Sequence, residues 1–249
     1  MQPTRIQLCG RITVELERRR LEADLPGRQG RLLFVYLVLA RARASSRDEL
    51  AAAIWPGEAP ARADSNLRVV LSRLRRVLGP DVLAGRSDVR LVLPRDAWVD
   101  VEVAALKIHE AEAAVHAQDW SRAVPAATIA YAISGRGFVS GEEAPWVVEQ
   151  RHWLEDVHLR ALECDAAASL GIGGSEQAAA ERDARRLIRL APYRESGYRL
   201  LMKTLSDRGN SGEALVVYEQ LRTLLRDELG ATPSPATQAL HRRLLSETG

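Results

Sequence analysis

The segment RADSNLRVVLSRLRRVLGP, residues 62–80, constrains this chain more than any other. Leu67, Val70, Leu71, Leu74, Val77 and Leu78 recur every three or four residues, the spacing of one apolar stripe on an α-helix. At 100° per residue the opposite face carries Ser65, Arg68, Val69, Ser72 and Arg76, with Arg62 and Arg73 beside it. Gly79-Pro80 stops the helix, predicted over about Arg62 to Leu78. Such a helix buries one side in a small core and offers arginine and serine on the other.

The flanking elements give that face a context. Ile6, Leu8, Ile12, Val14 and Leu16 alternate with polar residues at the strand period, which predicts a small N-terminal meander. A first helix is expected over roughly Arg28 to Ala42, with Leu32, Leu33, Tyr36, Leu37 and Leu39 or Ala40 at helical spacing. Ser46 and Glu49 form an S-x-x-E capping box that opens a second helix, and Trp55-Pro56-Gly57 ends it. After the basic helix, VLAGRSDVRLVL reads as a hairpin with its turn at Gly85 to Asp88 and alternating Val89, Leu91 and Leu93.

Helix, short helix, basic helix, hairpin is the order of a winged helix-turn-helix. A helix with an apolar back and an Arg/Ser front enters a major groove, where guanidinium groups pair with guanine O6/N7 or phosphate and small hydroxyls read nearby edges. The expected DNA-binding set is Arg62, Ser65, Arg68, Val69, Ser72, Arg73 and Arg76 on the basic helix, Arg86 and Arg90 on the hairpin, and Arg28 and Arg31 at the opening of the first helix. A solvated basic face on a core helix has the same pattern; the flanking elements favour the DNA reading.

Charge is segregated along the chain. Residues 1–95 hold 18 Arg, no Lys and 10 Asp or Glu, a net charge of +8, whereas residues 96–249 hold 17 Lys or Arg and 23 Asp or Glu, a net charge of −6. Arg abundance alone reflects genome composition, since Lys107 and Lys203 are the only lysines. Segregation compares two parts of one chain, so it survives that objection and suggests that the first part meets a polyanion. Composition shifts near Pro94 to Asp100, from turn-rich sequence to Ala-rich helical stretches. With 249 residues, two domains are expected, 1–95 and 96–249.

The second part contains a helical repeat. Ala180, Ala184 and Leu187 recur as Ala214, Tyr218 and Leu221, each 34 residues later, which is the tetratricopeptide period. Pro192 falls at a repeat end, and Ala111 and Ala123 mark an earlier copy. Between the copies lie a loop and a long helix from about Pro145 to Leu170, and a capping helix from about Pro235 to Leu245 ends the series. A generic helical bundle with coincidental spacing is the plainer alternative. The fold class is therefore mainly α with a small β part: a winged helix-turn-helix followed by an all-α tetratricopeptide-like domain.

Three motifs make a family resemblance specific. They are a helix opening at Arg31, the Leu50 to Trp55 helix end, and Leu67-Arg68 running to Arg73-Leu74-Arg75-Arg76-Val77-Leu78-Gly79. With Val99-Asp100-Val101 at the entry to the second part, the chain resembles the Streptomyces antibiotic regulatory protein (SARP) family. The resemblance implies an OmpR-like winged helix-turn-helix followed by a bacterial transcriptional activator domain. It implies an activator that binds promoter DNA at tandem direct repeats with a second protomer, recruits RNA polymerase through its sigma or alpha subunit, and serves a biosynthetic gene cluster such as one for an antibiotic. The family wing usually carries Gly-Tyr before Arg-Leu, whereas Asp88-Val89 precede Arg90-Leu91 here.

Other features point away from catalysis. GRGFVSG, residues 135–141, lacks the GxGxxG spacing and a preceding strand, so it reads as an inter-helix loop. His152 and His158 are six apart and His109 and His116 seven apart, without a third ligand by spacing, so they read as core or surface histidines. Trp146 and Trp153 read as core. No Walker, GxSxG or HExxH motif is present, so no enzyme, cofactor or metal is expected. The longest apolar run, Leu32 to Ala40, is far short of a membrane span, and the first ten residues lack a signal core. Cys9 and Cys164 stand alone, which fits a reducing, cytoplasmic setting. Two other functions share this composition: a tetratricopeptide-type scaffold with a basic head, and a repressor of the same fold.

Overall fold

The computed structural model describes residues 4–57, 60–79 and 81–248. Pro80, part of the expected stop after the basic helix, lies outside the described residues.

The chain opens with β1 (Arg5–Gln7), β2 (Thr13–Leu16) and β3 (Arg19–Arg20), an antiparallel meander. The predicted alternation turns Ile6, Val14 and Leu16 inward, and all three are buried. The tight turn from β2 to β3 holds Glu17 and Arg18 at φ 49° and 68°, the twin left-handed backbone that hairpin turns demand. A fourth strand, β7 (Trp98–Val99), adds in parallel to β1, giving the order β3-β2-β1-β7. Two residues are too few for a periodic signal, so the sequence read this strand as linker.

Three helices pack beside the sheet: α1 (Gly27–Leu39), α2 (Arg47–Ile54) and α3 (Ala63–Leu78). In α1, Phe34, Val35 and Val38 are buried along with Leu32, Leu33 and Leu37. Apolar residues surround most of its circumference, as expected of a central helix rather than one with a single apolar stripe. Ser46 caps α2, its hydroxyl accepting the N–H of Glu49 at 3.2 Å. The Glu49 carboxylate bonds Arg43 and the Tyr36 hydroxyl. That bond draws the Tyr36 ring only half inside. A second sheet, ordered β4-β6-β5, comprises β4 (Ser45–Ser46), β5 (Leu83–Ala84) and β6 (Asp88–Leu91). Its β5–β6 arm is the predicted hairpin.

The rest is helical: α4 (Asp100–His116), α5 (Trp120–Ser134), α6 (Pro145–Ile172), a 3-10 turn at Gly174–Glu176, α7 (Gln177–Leu190), α8 (Glu195–Asp207), α9 (Ser211–Leu229) and α10 (Pro235–Thr248). The chain divides into two compact units whose borders fall inside α4, just after α5 and inside α6. One comprises Met1–Val103 with Arg136–Leu154, the other Ala104–Gly135 with Glu155–Gly249. The sequence reading grouped residues 96–249 together, whereas the contacts of Arg136–Leu154 are with the N-terminal unit. Phe138 is buried and bridges to Cys9, Gly10 donates its N–H to Gly137 O at 2.8 Å, and the Trp146 indole donates to Ala53 O at 2.9 Å. Arg151 ties the loop down by donating to the carbonyls of Phe138, Val139 and Glu142. Single long-range contacts of this kind leave no periodic trace in sequence.

In the second unit, Ala114, Ala123 and Ala168 let helices approach around Trp120. Gly171 is needed there, because a Cβ would lie 2.3 Å from the Trp120 ring. Helices α7 and α9 begin 34 residues apart, and the repeated Ala180, Ala184, Leu187 and Ala214, Tyr218, Leu221 are all buried. Leu240 and Leu244 of α10 close the core formed by α8 and α9. Among the described residues, no helix is long and apolar enough to cross a membrane.

Candidate nucleic-acid interface

The apolar stripe of α3 decides which side chains it shows. Leu67, Val70, Leu71, Leu74 and Leu78 are buried, and Val77 is half-buried at the stripe's edge. Burial of this row against α1 and α2 leaves the opposite face outward. Ser65, Arg68, Val69, Ser72, Arg73 and Arg76, with Arg62 at the cap, are all exposed. The seven residues expected from sequence are thus together on one face.

That face is chemically mixed. Among the described residues, Arg62, Arg73 and Arg76 have no ion-pair or hydrogen-bond partner for their guanidinium groups. Arg68 pairs with Asp64 at 3.0 Å across one helical turn. Val69 is 48% exposed, an apolar patch amid charge that suits contact with a thymine methyl group. The Arg68–Asp64 pair lies in water and is worth little, so its exchange for phosphate costs little.

The hairpin next to α3 is held by two arginines that sequence reasoning passed over. Arg75 donates to the carbonyls of Leu83 and Gly85, which fixes the turn to the helix. Arg47, first in α2, donates to Asp64 Oδ1 at 2.9 Å and to Arg86 O at 3.5 Å. Its hydrogen bond holds the Asp64 carboxyl below the usual carboxylate range. Both arginines were hidden because their partners are backbone carbonyls or residues far along the chain. The turn itself requires Gly85: its φ is +87°, and a Cβ would sit 1.8 Å from Asp88 O. Arg86 and Arg90 are exposed on this arm, with Arg90 Nε donating to Arg41 O at 3.2 Å. Asp88 is exposed in β6, paired with Ser46, and Val89 is buried.

Arg28 and Arg31 belong to a different place. They line a groove with Gly10, Arg11, Glu22 and Glu142. Arg28 forms a bidentate pair with Glu142 at 2.6 and 2.7 Å. The α3 face and the hairpin therefore group nine of the eleven expected residues, and these two stand apart.

Two of the five histidines stack on tyrosines. His158 stacks on Tyr131 with ring centroids 4.2 Å apart, and burial lowers its pKa. His241 stacks on Tyr218 at 3.8 Å. Among the described residues, no group of three His, Cys, Asp or Glu is placed to hold a metal ion. Trp146, expected in the core, is half-buried, edge-on to Tyr36 at 5.3 Å.

Comparison with known proteins agrees with this arrangement. The family model described as bacterial transcriptional activator domain matches residues 99–245. Regulatory protein AfsR of Streptomyces coelicolor is 34% identical over 87% of this chain, which spans 22% of that protein. Transcriptional regulatory protein MoaR1 of Mycobacterium tuberculosis is 26% identical over 94% of this chain and 77% of its own length. The solved structure of Mycobacterium tuberculosis EmbR, in complex with a low affinity phosphopeptide, superposes with a TM-score of 0.82 at 23% identity, over 98% of this chain and 65% of that one, and so shows the same fold. AfsR, MoaR1 and EmbR are named as regulatory or transcriptional regulatory proteins. With a winged helix-turn-helix head followed by activator-domain helices, the chain belongs to the bacterial transcriptional activator domain family, in the arrangement of SARP-type transcriptional regulators.

Proposed function

We propose that the chain activates transcription by binding promoter DNA through α3 and contacting RNA polymerase, at its sigma or alpha subunit, through the helical unit. In this reading it acts in the cytoplasm and serves a biosynthetic gene cluster. The observation that carries it is the exposed face of α3, where Arg62, Arg73 and Arg76, unpaired among the described residues, surround Ser65, Val69 and Ser72 while the leucine row opposite is buried. Arg73 and Arg76 read base edges, and Arg62 and Arg68 neutralise phosphate. Arg86 and Arg90 on the hairpin meet the backbone beside the groove. Arg28 is left out of this set because Glu142 holds it, and Arg31 lies with it.

The test is titration of duplex promoter DNA at several salt concentrations. Phosphate neutralisation gives a log–log slope of about −0.9 per contact. A flat salt dependence, with an acidic protein surface bound instead, would identify a protein-binding scaffold with a basic head.

A further inference from the structure

The helical unit holds a cavity of 480 Å³ between the end of α4, the middle of α6 and the start of α8. Its size falls in the range of small-molecule sites. Part of the lining is apolar, from Val115, Cys164, Ala167 and Leu200. The remainder is unusual for this part of the chain. Residues 96–249 carry a net charge of −6, yet the lining sets four cations, Arg160, Arg194, Arg199 and Lys203, against two carboxylates, Glu112 and Glu163.

The pairing within the lining shows which cations remain available. Arg160 is saturated, with Glu112 gripped at 2.6 and 2.7 Å and Asp156 at 3.2 Å. Arg199 donates to Thr237 at 3.1 Å. Arg194 has only long ion pairs, 3.4 Å to Glu163 and 3.5 Å to Asp156. Its Nη1 is buried without a hydrogen-bond partner among the described residues, and so is the hydroxyl of Ser196 two positions on. Lys203 is exposed and has no ion-pair partner among the described residues. A lining that sets four cations against two carboxylates, with Arg194 held only by long ion pairs, is matched by an oxyanion.

We infer that this cavity binds a small amphipathic anion: a carboxylate or phosphate ester on an apolar body of one or two rings or a short chain. The anionic group sits at the cationic side of the lining, against Arg194, with Lys203 closing over it. The apolar body lies on Val115, Ala167 and Leu200. The site is separate from the α3 face and does not depend on the DNA reading.

Calorimetric titration of the full chain with naphthyl phosphate and with naphthoate tests the site and distinguishes the two anions. Neutral naphthol and inorganic phosphate alone are the controls. Saturable binding of at least one aromatic anion is expected, stronger than either control, and weakened roughly tenfold or more in Arg194→Gln. Lys203→Gln, which disturbs no pairing, keeps the test decisive if Arg194→Gln fails to fold, and should weaken binding in the same direction. The inference is overturned if neither aromatic anion binds saturably, if naphthol binds as well as the anions, or if the folded variants bind like the parent.

Discussion

The carboxylate of Asp100 accepts the backbone N–H of Cys9 at 2.8 Å. It also accepts the N–H of Leu8, at 2.9 and 3.0 Å to its two oxygens, and that of Val101. Asp100 and Leu8 are fully buried, so these amides have no water to turn to. One side chain at the start of α4 thereby satisfies the chain just beyond β1, more than ninety residues earlier in sequence. The Val99-Asp100-Val101 step, where the match to the bacterial transcriptional activator domain begins, also clasps the N-terminal unit.

Removing the clasp should be costly. Asp100→Ala orphans buried amides and is expected to lower stability by roughly 2–5 kcal/mol, measured by urea unfolding. Truncation after residue 95 should do more harm, because it removes β7, Asp100 and the segment that docks Phe138 and Trp146. A 1–95 fragment with the stability of the parent's N-terminal unit would contradict this account.

Acid sensitivity should come from Glu49. A hydrogen bond from Arg43, then one from Tyr36, lowers its pKa to about 2, below the ordinary 4.5. A depressed folded-state pKa means that the stabilisation is complete above the unfolded value and is lost as pH falls from there toward 2. Asp100 has the opposite sign: burial raises its pKa, so protonation is easier in the folded state and does not drive acid unfolding. The melting-temperature gap between the parent and Glu49→Gln should therefore close between about pH 4.5 and pH 2. A gap that stays constant over that window would show that the Arg43 contact contributes nothing.

The two sides of α3 should separate cleanly by mutation. Arg73→Ala and Arg76→Ala remove exposed guanidinium groups that have no partner among the described residues. Each should weaken promoter binding, a base-reading arginine by about 1–3 kcal/mol, with the melting temperature nearly unchanged. Leu71→Ala and Leu74→Ala empty buried positions and should cost roughly 2–5 kcal/mol of stability. Unaltered DNA affinity in both arginine variants would remove α3 from the interface.

These contrasts also mark what the sequence could express. The face of α3 was readable because a leucine row at helical spacing fixes the opposite side by geometry alone. The 34-residue spacing placed α7 and α9 for the same reason: identical packing needs recur at identical intervals. Neither Arg47 nor Arg75 could be assigned that way, since each acts on a carbonyl that any residue would supply. The partner of Arg28, Glu142, lies 114 residues away and left no trace in the sequence either. The N-terminal unit's claim on Arg136–Leu154 is likewise carried by a few distant contacts, not by a pattern.

Assembly on DNA supplies the last prediction. In the proposed tandem arrangement, each of two protomers would place α3 on the same face of the duplex, so repeat centres should lie about one helical turn, 10–10.5 bp, apart. The N-terminal 95 residues carry +8, and neighbouring heads repel until phosphates screen them. The protein should accordingly be monomeric at low concentration in free solution and pair only on the promoter. Inserting about half a helical turn, 5 bp, between the repeats rotates one site to the opposite face and should abolish cooperative binding in a mobility-shift titration. An insertion of about 10 bp restores the facing and should recover part of the cooperativity, less the loss from added distance. Cooperativity that ignores the half-turn insertion would mean that the protomers do not touch, and a single-site mode of binding would replace the tandem one.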